Sequence, residues 1–88
     1  MLDKYRKEID NIDKEIVKLF EQRMEISSKI GDYKKDNNLQ ILNKEREKEV
    51  IEKNINNIKN DDIKKYVIDL LNFIMEQSRE YQKNKLSK

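Results

Sequence analysis

The apolar residues in the first third of the chain recur at alternating intervals of three and four positions. Residues with this spacing lie on one face of an α-helix, so the pattern predicts a single continuous helix from Leu2 to Tyr33. At 1.5 Å per residue such a helix is roughly 46 Å long, which exceeds the ~30 Å diameter of a small domain. We call this apolar face the seam, and its members are Leu2, Tyr5, Ile9, Ile12, Ile16, Leu19, Ile26, Ile30 and Tyr33.

A polar segment at 35–38 ends this pattern, and a second helix is predicted to begin after Asn43. Asparagine is a favoured N-cap, because its side-chain oxygen accepts a hydrogen bond from a backbone N–H that the helix leaves free. The apolar positions assigned to this helix are Val50, Ile51, Ile55 and Ile58.

A third helix is predicted to follow a loop that contains Asn56, Asn57 and Asn60. We expect it to start at Asp61 or Asp62, whose carboxylates suit an N-cap and the positive end of a helix. The pattern continues to about Lys83. Its apolar stripe consists of Ile63, Val67, Leu70, Leu71, Ile74 and Met75.

These patterns predict an all-α fold with three helices per chain, the first of them long. No internal repeat or linker divides the sequence, so residues 1–88 are expected to form one domain. Two short helices cannot cover the whole seam. We therefore expect an intertwined helical homodimer in which the two long helices pack together.

Composition excludes most kinds of catalytic chemistry. With no cysteine and no histidine among 88 residues, a thiolate nucleophile, an imidazole base, a disulfide and a Cys/His zinc site are all ruled out. A single glycine leaves no Gly-rich phosphate loop, and we predict neither a metal nor a cofactor. The net charge of +2 is too small to indicate nucleic-acid binding. No apolar run is long enough for a membrane span, so we expect a soluble, cytoplasmic protein.

Polar residues at positions where the pattern calls for apolar ones are the candidates for function. Arg23 occupies a seam position. Either the aliphatic part of its side chain packs while the guanidinium reaches water, or the guanidinium faces a ligand. Lys34 lies eleven residues later, almost three helical turns, and so shares that face. Two cations on one inner face suggest an anion between them. Gly31 indicates close approach by a ligand or simply a helix crossing.

Further candidates come from the other two helices and from the start of the first. Arg46 and Glu47 fall in the first turn of the second helix, where they are either a solvated pair or part of a site. Ser78 and Gln82 continue the apolar face of the third helix and suggest hydrogen bonding within a pocket, although a frayed helix end would look similar. Arg6 lies about 25 Å from Arg23 along the first helix, so only a partner's site is within its reach.

Taken in order, these residues resemble the active-site signature of the all-helical class of chorismate mutases. The resemblance extends over nearly the whole chain and implies three helices per chain that entwine in a homodimer with two shared active sites. It implies that Arg23 binds one of the two substrate carboxylates of chorismate and that the partner subunit's Arg6 binds the other. Lys34 and Gln82 would donate to the ether oxygen of the bond that breaks.

The same resemblance implies roles on the opposite side of the substrate ring. Glu47 would bind the ring hydroxyl, with Arg46 and Ser78 in support. The family commonly has aspartate where this chain has Asn43, which is therefore also expected beside the substrate. Both residues are good N-caps, so the helix start is expected to be kept.

Two other functions remain open from the sequence. Related folds act as isochorismate pyruvate-lyases through a similar cationic pocket. A non-enzymatic coiled-coil interaction module, in which Arg23 fixes the register of the helices, would share the long seam. That second function leaves Lys34, Ser78 and Gln82 without an explanation.

Overall fold

Three α-helices make up the fold of the computed structural model, which describes residues 1–86. They are α1 (Leu2–Asp36), α2 (Lys44–Ile55) and α3 (Lys64–Leu86), with one turn of 3-10 helix at Asp61–Ile63 before α3. There is no β-strand in these 86 residues. The predicted all-α class and the long first helix are confirmed.

α1 extends beyond the predicted Tyr33 into the polar segment at 35–38, and it ends at Asp36. The side-chain amide of Asn37 donates to the backbone oxygen of Tyr33 at 2.8 Å. Asn38 has a φ of 55°, in the left-handed region that asparagine tolerates better than most residues. This residue turns the chain so that the backbone N–H of Leu39 donates to the oxygen of Lys34 at 2.7 Å. The helix therefore closes on its own last turn.

The predicted start of α2 is confirmed in detail. Asn43 has extended backbone angles, and its Oδ1 accepts a hydrogen bond from the backbone N–H of Arg46 at 3.0 Å. The assignment of Ile58 to this helix was wrong. The helix ends at Ile55, because Asn56 and Asn57 form a turn, and the backbone N–H of Ile58 donates to Ile55 over three residues.

The predicted start of the third helix was also wrong in its capping residue. Asn60 is the N-cap, and its Oδ1 accepts from the backbone N–H of Asp62 at 3.0 Å. Asp61 and Asp62 lie in the 3-10 turn that follows, where their charges still favour the positive helix end. The α-helix itself begins at Lys64 and, at its other end, runs past the expected Lys83.

The helices lie side by side in a single layer. The molecule measures 54 × 27 × 14 Å, and its smallest dimension is close to the diameter of one helix with its side chains. α3 contacts both α1 and α2. It runs parallel to α1, because Arg23 meets Ser78 and, one turn further along both helices, Ser27 meets Gln82.

Hardly any apolar side chain is buried within this layer. Among the described residues Met75, at 4% exposed, is the buried hydrophobic residue, and the other buried side chains are the polar Ser27, Ser78 and Gln82. Each of the nine seam residues remains exposed. The seam is thus uncovered in the single chain, and the predicted homodimer remains a prediction.

Candidate active site

A cavity of about 470 Å³ opens between the three helices. It receives side chains from the C-terminal half of α1, the first half of α2 and the second half of α3, so three separate stretches of sequence meet in it. The sequence-predicted residues that line it are Arg23, Lys34, Asn43, Arg46, Glu47, Ser78 and Gln82. Arg6 is exposed and does not line it, as its distance of about 25 Å along α1 required.

Arg23 turns its charge toward α3. Its Nη1 donates to Oγ of Ser78 at 2.7 Å, and that hydroxyl in turn donates to the backbone oxygen of Ile74 at 3.0 Å. Burial lowers the pKa of Arg23 from its ordinary value and repulsion from Arg46 lowers it further, whereas Glu47 raises it. The guanidinium stays protonated at neutral pH, so the fold holds a positive charge that an anion in the cavity would stabilise.

Lys34 links the end of α1 to the loop before α2. Its Nζ donates to the backbone oxygen of Ile41 at 2.7 Å, and the residue is half-buried. An ammonium group carries three N–H donors. Two donors are therefore left over after this contact, and a ligand in the cavity can accept from them.

Gln82 is held in place by α1. Its Nε2 donates to both the backbone oxygen and Oγ of Ser27, at 2.8 and 3.0 Å. The carbonyl of Ser27 can only accept, which fixes the orientation of the Gln82 amide. A Cβ added at Gly31 would lie 3.0 Å from Cγ of Gln82. The glycine therefore permits the close approach of Gln82 to α1, in agreement with the helix-crossing interpretation.

Arg46 and Glu47 do not pair with each other. Arg46 pairs with Glu49 of the same helix at 3.0 Å, and both side chains are more than half exposed. Glu47 pairs across the helices with Arg79 of α3, where both side chains are about three-quarters buried. The interpretation of Arg46 and Glu47 as one solvated pair was therefore wrong, and Glu47 is tied to the cavity wall.

Sequence reasoning missed three of the polar residues that line the cavity, Gln22, Ser27 and Arg79. Ser27 follows Arg23 by one turn, so the helical spacing that singled out Arg23 also places this small polar residue on the inner side of α1. Arg79 follows Ser78 directly and points 100° further round α3, off the predicted stripe, where a charge normally indicates a solvated face.

The charges around the cavity favour an anionic ligand. Arg23, Lys34, Arg46 and Arg79 line it against one carboxylate, that of Glu47. Within residues 1–86, no group of three or more His, Cys, Asp or Glu side chains is placed to hold a metal ion. The same stretch contains no helix with the length and hydropathy needed to cross a lipid bilayer. The excess of positive charge therefore suits a small molecule with negative groups.

Comparison with known proteins identifies the family. Residues 5–83 match the family model described as chorismate mutase type II. Two bifunctional chorismate mutase/prephenate dehydratases resemble nearly the whole chain. That of Buchnera aphidicola subsp. Acyrthosiphon pisum (strain APS) is 41% identical over 85 residues, which are 96% of this chain and 22% of that protein. That of Buchnera aphidicola subsp. Schizaphis graminum (strain Sg) is 39% identical, with the same coverage.

A shorter match supports the same family. The bifunctional chorismate mutase/prephenate dehydratase of Aquifex aeolicus (strain VF5) is 46% identical over 52 residues, 59% of this chain and 14% of that protein. The chain thus spans at most 22% of the length of these curated relatives. No solved structure matches it significantly. On the match over residues 5–83, this chain belongs to the chorismate mutase type II family.

Proposed function

We propose that this chain is a chorismate mutase, which rearranges chorismate to prephenate. The observation that carries the proposal is the cationic cavity, in which Arg23, Lys34 and Gln82 meet in a chain of this family. Chorismate is a dicarboxylate with a ring hydroxyl. The cavity offers positive charge for the carboxylates and one carboxylate, Glu47, for the hydroxyl.

The rearrangement is suited to a site that lacks histidine and cysteine. One cyclic step breaks the C–O bond of the ether and forms a C–C bond within the same molecule, so no proton moves and no nucleophile is needed. Two effects can accelerate such a step: holding the substrate in its reactive chair-like conformation, and stabilising the negative charge that grows on the ether oxygen. Arg23 and Lys34, held by helix packing, supply both.

Gln82 can donate to the ether oxygen only by changing one of its present contacts. Its Nε2 donates to two oxygens of Ser27. A ligand would most readily replace the contact with Oγ of Ser27 at 3.0 Å, and leave the shorter bond to the backbone oxygen in place. One contact then still positions the amide while the other serves the substrate.

The other residues of the cavity are assigned supporting roles. Arg46 and Ser78 stabilise the site, Ser78 by holding the guanidinium of Arg23. Asn43 caps α2 beside the substrate. We further propose that the chain acts in the cytoplasm as an intertwined homodimer with shared active sites. The partner subunit's Arg6 would then bind the second carboxylate, and the uncovered seam supports this arrangement.

The test is an assay of chorismate consumption by the purified chain, with identification of the product. Lys34→Ala should lower turnover by on the order of 100- to 1000-fold, as removal of one oxyanion donor does elsewhere. Lys35→Ala removes the same charge one residue away, on the exposed side, and should leave turnover nearly unchanged.

Each other outcome identifies a different function. Formation of salicylate and pyruvate from isochorismate would indicate a pyruvate-lyase, and a folded chain that consumes neither substrate would indicate an interaction module. Equal effects of the two lysine substitutions would show that Lys34 acts only through the overall charge.

A further inference from the structure

Arg79 forms an ion pair between α3 and α2 that neither helix needs for its own formation. Its Nη1 donates to Oε2 of Glu47, and the two side chains are 25% and 26% exposed. The pair of Arg46 and Glu49, by contrast, is more than half exposed and lies within one helix. A partly buried pair with one member removed leaves an unpaired charge beside the cavity, which is far less favourable than the loss of a surface pair.

Glu47 lines the same cavity as the cations that the substrate requires. It is the one carboxylate among the described residues that line the cavity, and its charge influences Arg23. Arg46 is already paired with Glu49. A Glu47 carboxylate released from Arg79 would therefore turn toward Arg23 or Lys34, and would compete there with the negative groups of the substrate.

We propose that Arg79 is a positioning residue, which holds Glu47 away from Arg23 and Lys34 and directs it at the ring hydroxyl of the substrate. The contact uses Oε2 of Glu47 and leaves Oε1 available to accept from the hydroxyl. This inference rests on the proposed function and extends it. It assigns Arg79 no contact with the substrate; the residue acts through Glu47.

A kinetic signature separates this role from general stabilisation of the fold. Loss of Arg79 should raise KM, because the released carboxylate competes with the substrate for the cavity cations. It should also lower kcat, because the hydroxyl is no longer held. Together we expect kcat/KM to fall about 10- to 100-fold. The effect should disappear when position 47 carries no charge, because a neutral amide neither competes for Arg23 nor needs a cation.

The experiment is a double-mutant cycle on the full chain. Arg79→Met, Glu47→Gln and the double variant are compared with wild type for kcat, KM and the midpoint of urea unfolding. We expect Arg79→Met to cost about 10- to 100-fold in kcat/KM in the wild-type background and less than about 3-fold in the Glu47→Gln background. Arg79→Lys keeps the charge without the planar fork and should recover part of the loss.

A matched control removes a positive charge elsewhere on α3. Lys65→Met lies on the same helix, is exposed, and does not line the cavity, so it should leave both kinetic constants unchanged. If Arg79→Met unfolds the chain, Arg79→Lys and Arg79→Gln take its place in the cycle.

The possible results are distinguishable. Suppose that wild type is active and that the fold losses in kcat/KM of Arg79→Met and Glu47→Gln simply multiply in the double variant. This result would overturn the positioning role and leave the proposed function intact. A wild-type chain with no turnover would overturn both the proposed function and the kinetic role of Arg79. The urea-unfolding midpoints of the same four chains then report whether the Arg79–Glu47 ion pair stabilises the fold. Additive changes in midpoint would show that the two residues do not interact.

Discussion

Arg23 carries a charge in a place that folding alone would not select. Burial and the neighbouring Arg46 lower its pKa, and Glu47 compensates only in part. Its one observed hydrogen-bond partner is a neutral hydroxyl, that of Ser78. A partly buried cation with a neutral partner is a poor device for stability but a good one for binding an anion. At the scale of single residues, the site is therefore organised for a charged ligand that arrives from outside.

Gln82→Glu should convert a site without pH dependence near neutrality into one that prefers acid. Protonated, the introduced carboxyl can donate to the backbone oxygen of Ser27 or to the ether oxygen of the substrate. When it is ionised, the carboxylate cannot donate and repels both oxygens. Wild type contains no histidine, so its activity should be nearly flat from about pH 6 to 8. The variant should lose kcat as pH rises, measured under substrate saturation.

Gln82→Glu should also affect stability, because residue 82 contacts Ser27. Burial and the Ser27 oxygen favour the neutral carboxyl, against the opposing influence of Lys34, so its pKa is higher in the folded chain than the value of about 4.3 in the unfolded one. The contribution to stability is then present below the unfolded pKa and is lost as pH rises through the folded pKa.

Urea midpoints at each pH separate the effect of Gln82→Glu on stability from its effect on kcat. Gln77→Glu introduces the same charge on α3 outside the cavity and serves as the control. A Gln82→Glu profile of kcat that parallels wild type would show that Gln82 does not touch the breaking bond.

The residues that sequence reasoning could find are those that break a period. Arg23 stands out because the neighbouring seam positions, Leu19 and Ile26, are apolar, and Lys34 because it shares that face. Arg79 could not be found in this way, since an arginine beside the predicted stripe looks like any solvated charge. Its importance depends on where α2 packs against α3, and that is a property of tertiary structure which no local period encodes.

At the scale of helices, the contact between α1 and α3 beside Gln82 depends on one small residue, Gly31. Gly31 lies where α1 and α3 approach most closely around Gln82, and a Cβ there would lie 3.0 Å from Cγ and 3.3 Å from Cβ of that residue. Two hydrogen bonds to Ser27 keep the Gln82 side chain from moving aside freely. The helices would have to separate by a few tenths of an ångström instead.

Gly31→Ala should therefore lower activity more than stability. Alanine favours the helix by about 1 kcal/mol over glycine, which offsets most of the strain of a tighter crossing. We expect the melting temperature to change by about a few degrees. We expect kcat to fall about tenfold, because Gln82 is displaced. Asn11→Ala, an exposed position of α1, provides a control for helix propensity alone. Unchanged kcat in Gly31→Ala would mean that the position of Gln82 is not critical.

The boundaries of the elements were predictable to the extent that capping chemistry is local. Asn43 caps α2 as expected, because the residue and the N–H it accepts from are three positions apart. The start of α3 was misassigned because residues 61–63 form a 3-10 turn that Asn60 caps, and the α-helix begins only at Lys64. The sequence carries no signal that distinguishes this turn from the first turn of an α-helix.

The whole molecule is a single layer of helices, and this raises the question of how it is stable. One buried hydrophobic residue among the described ones, Met75, is far less than a chain of 88 residues needs to offset its loss of conformational entropy. The nine exposed residues of the seam are a large reserve of apolar surface. Leu19, Ile26 and Ile30 of the seam also line the cavity, so a second copy that covered the seam would contribute to stability beside the site.

Mixing two inactive variants tests whether that association completes the site. Arg6→Ala and Arg23→Ala should each be nearly inactive as homodimers. In a heterodimer with shared sites, one site draws the intact Arg23 from one chain and the intact Arg6 from the other, while the second site lacks both. Random exchange should therefore restore up to about a quarter of wild-type activity. Sedimentation or light scattering of wild type should meanwhile give a dimer at micromolar concentration. Because each variant chain lacks one of the two arginines, recovery cannot arise within one chain. Verified heterodimers that remain inactive would exclude Arg6 from the partner's site, and a compact, folded monomer would exclude the dimer itself.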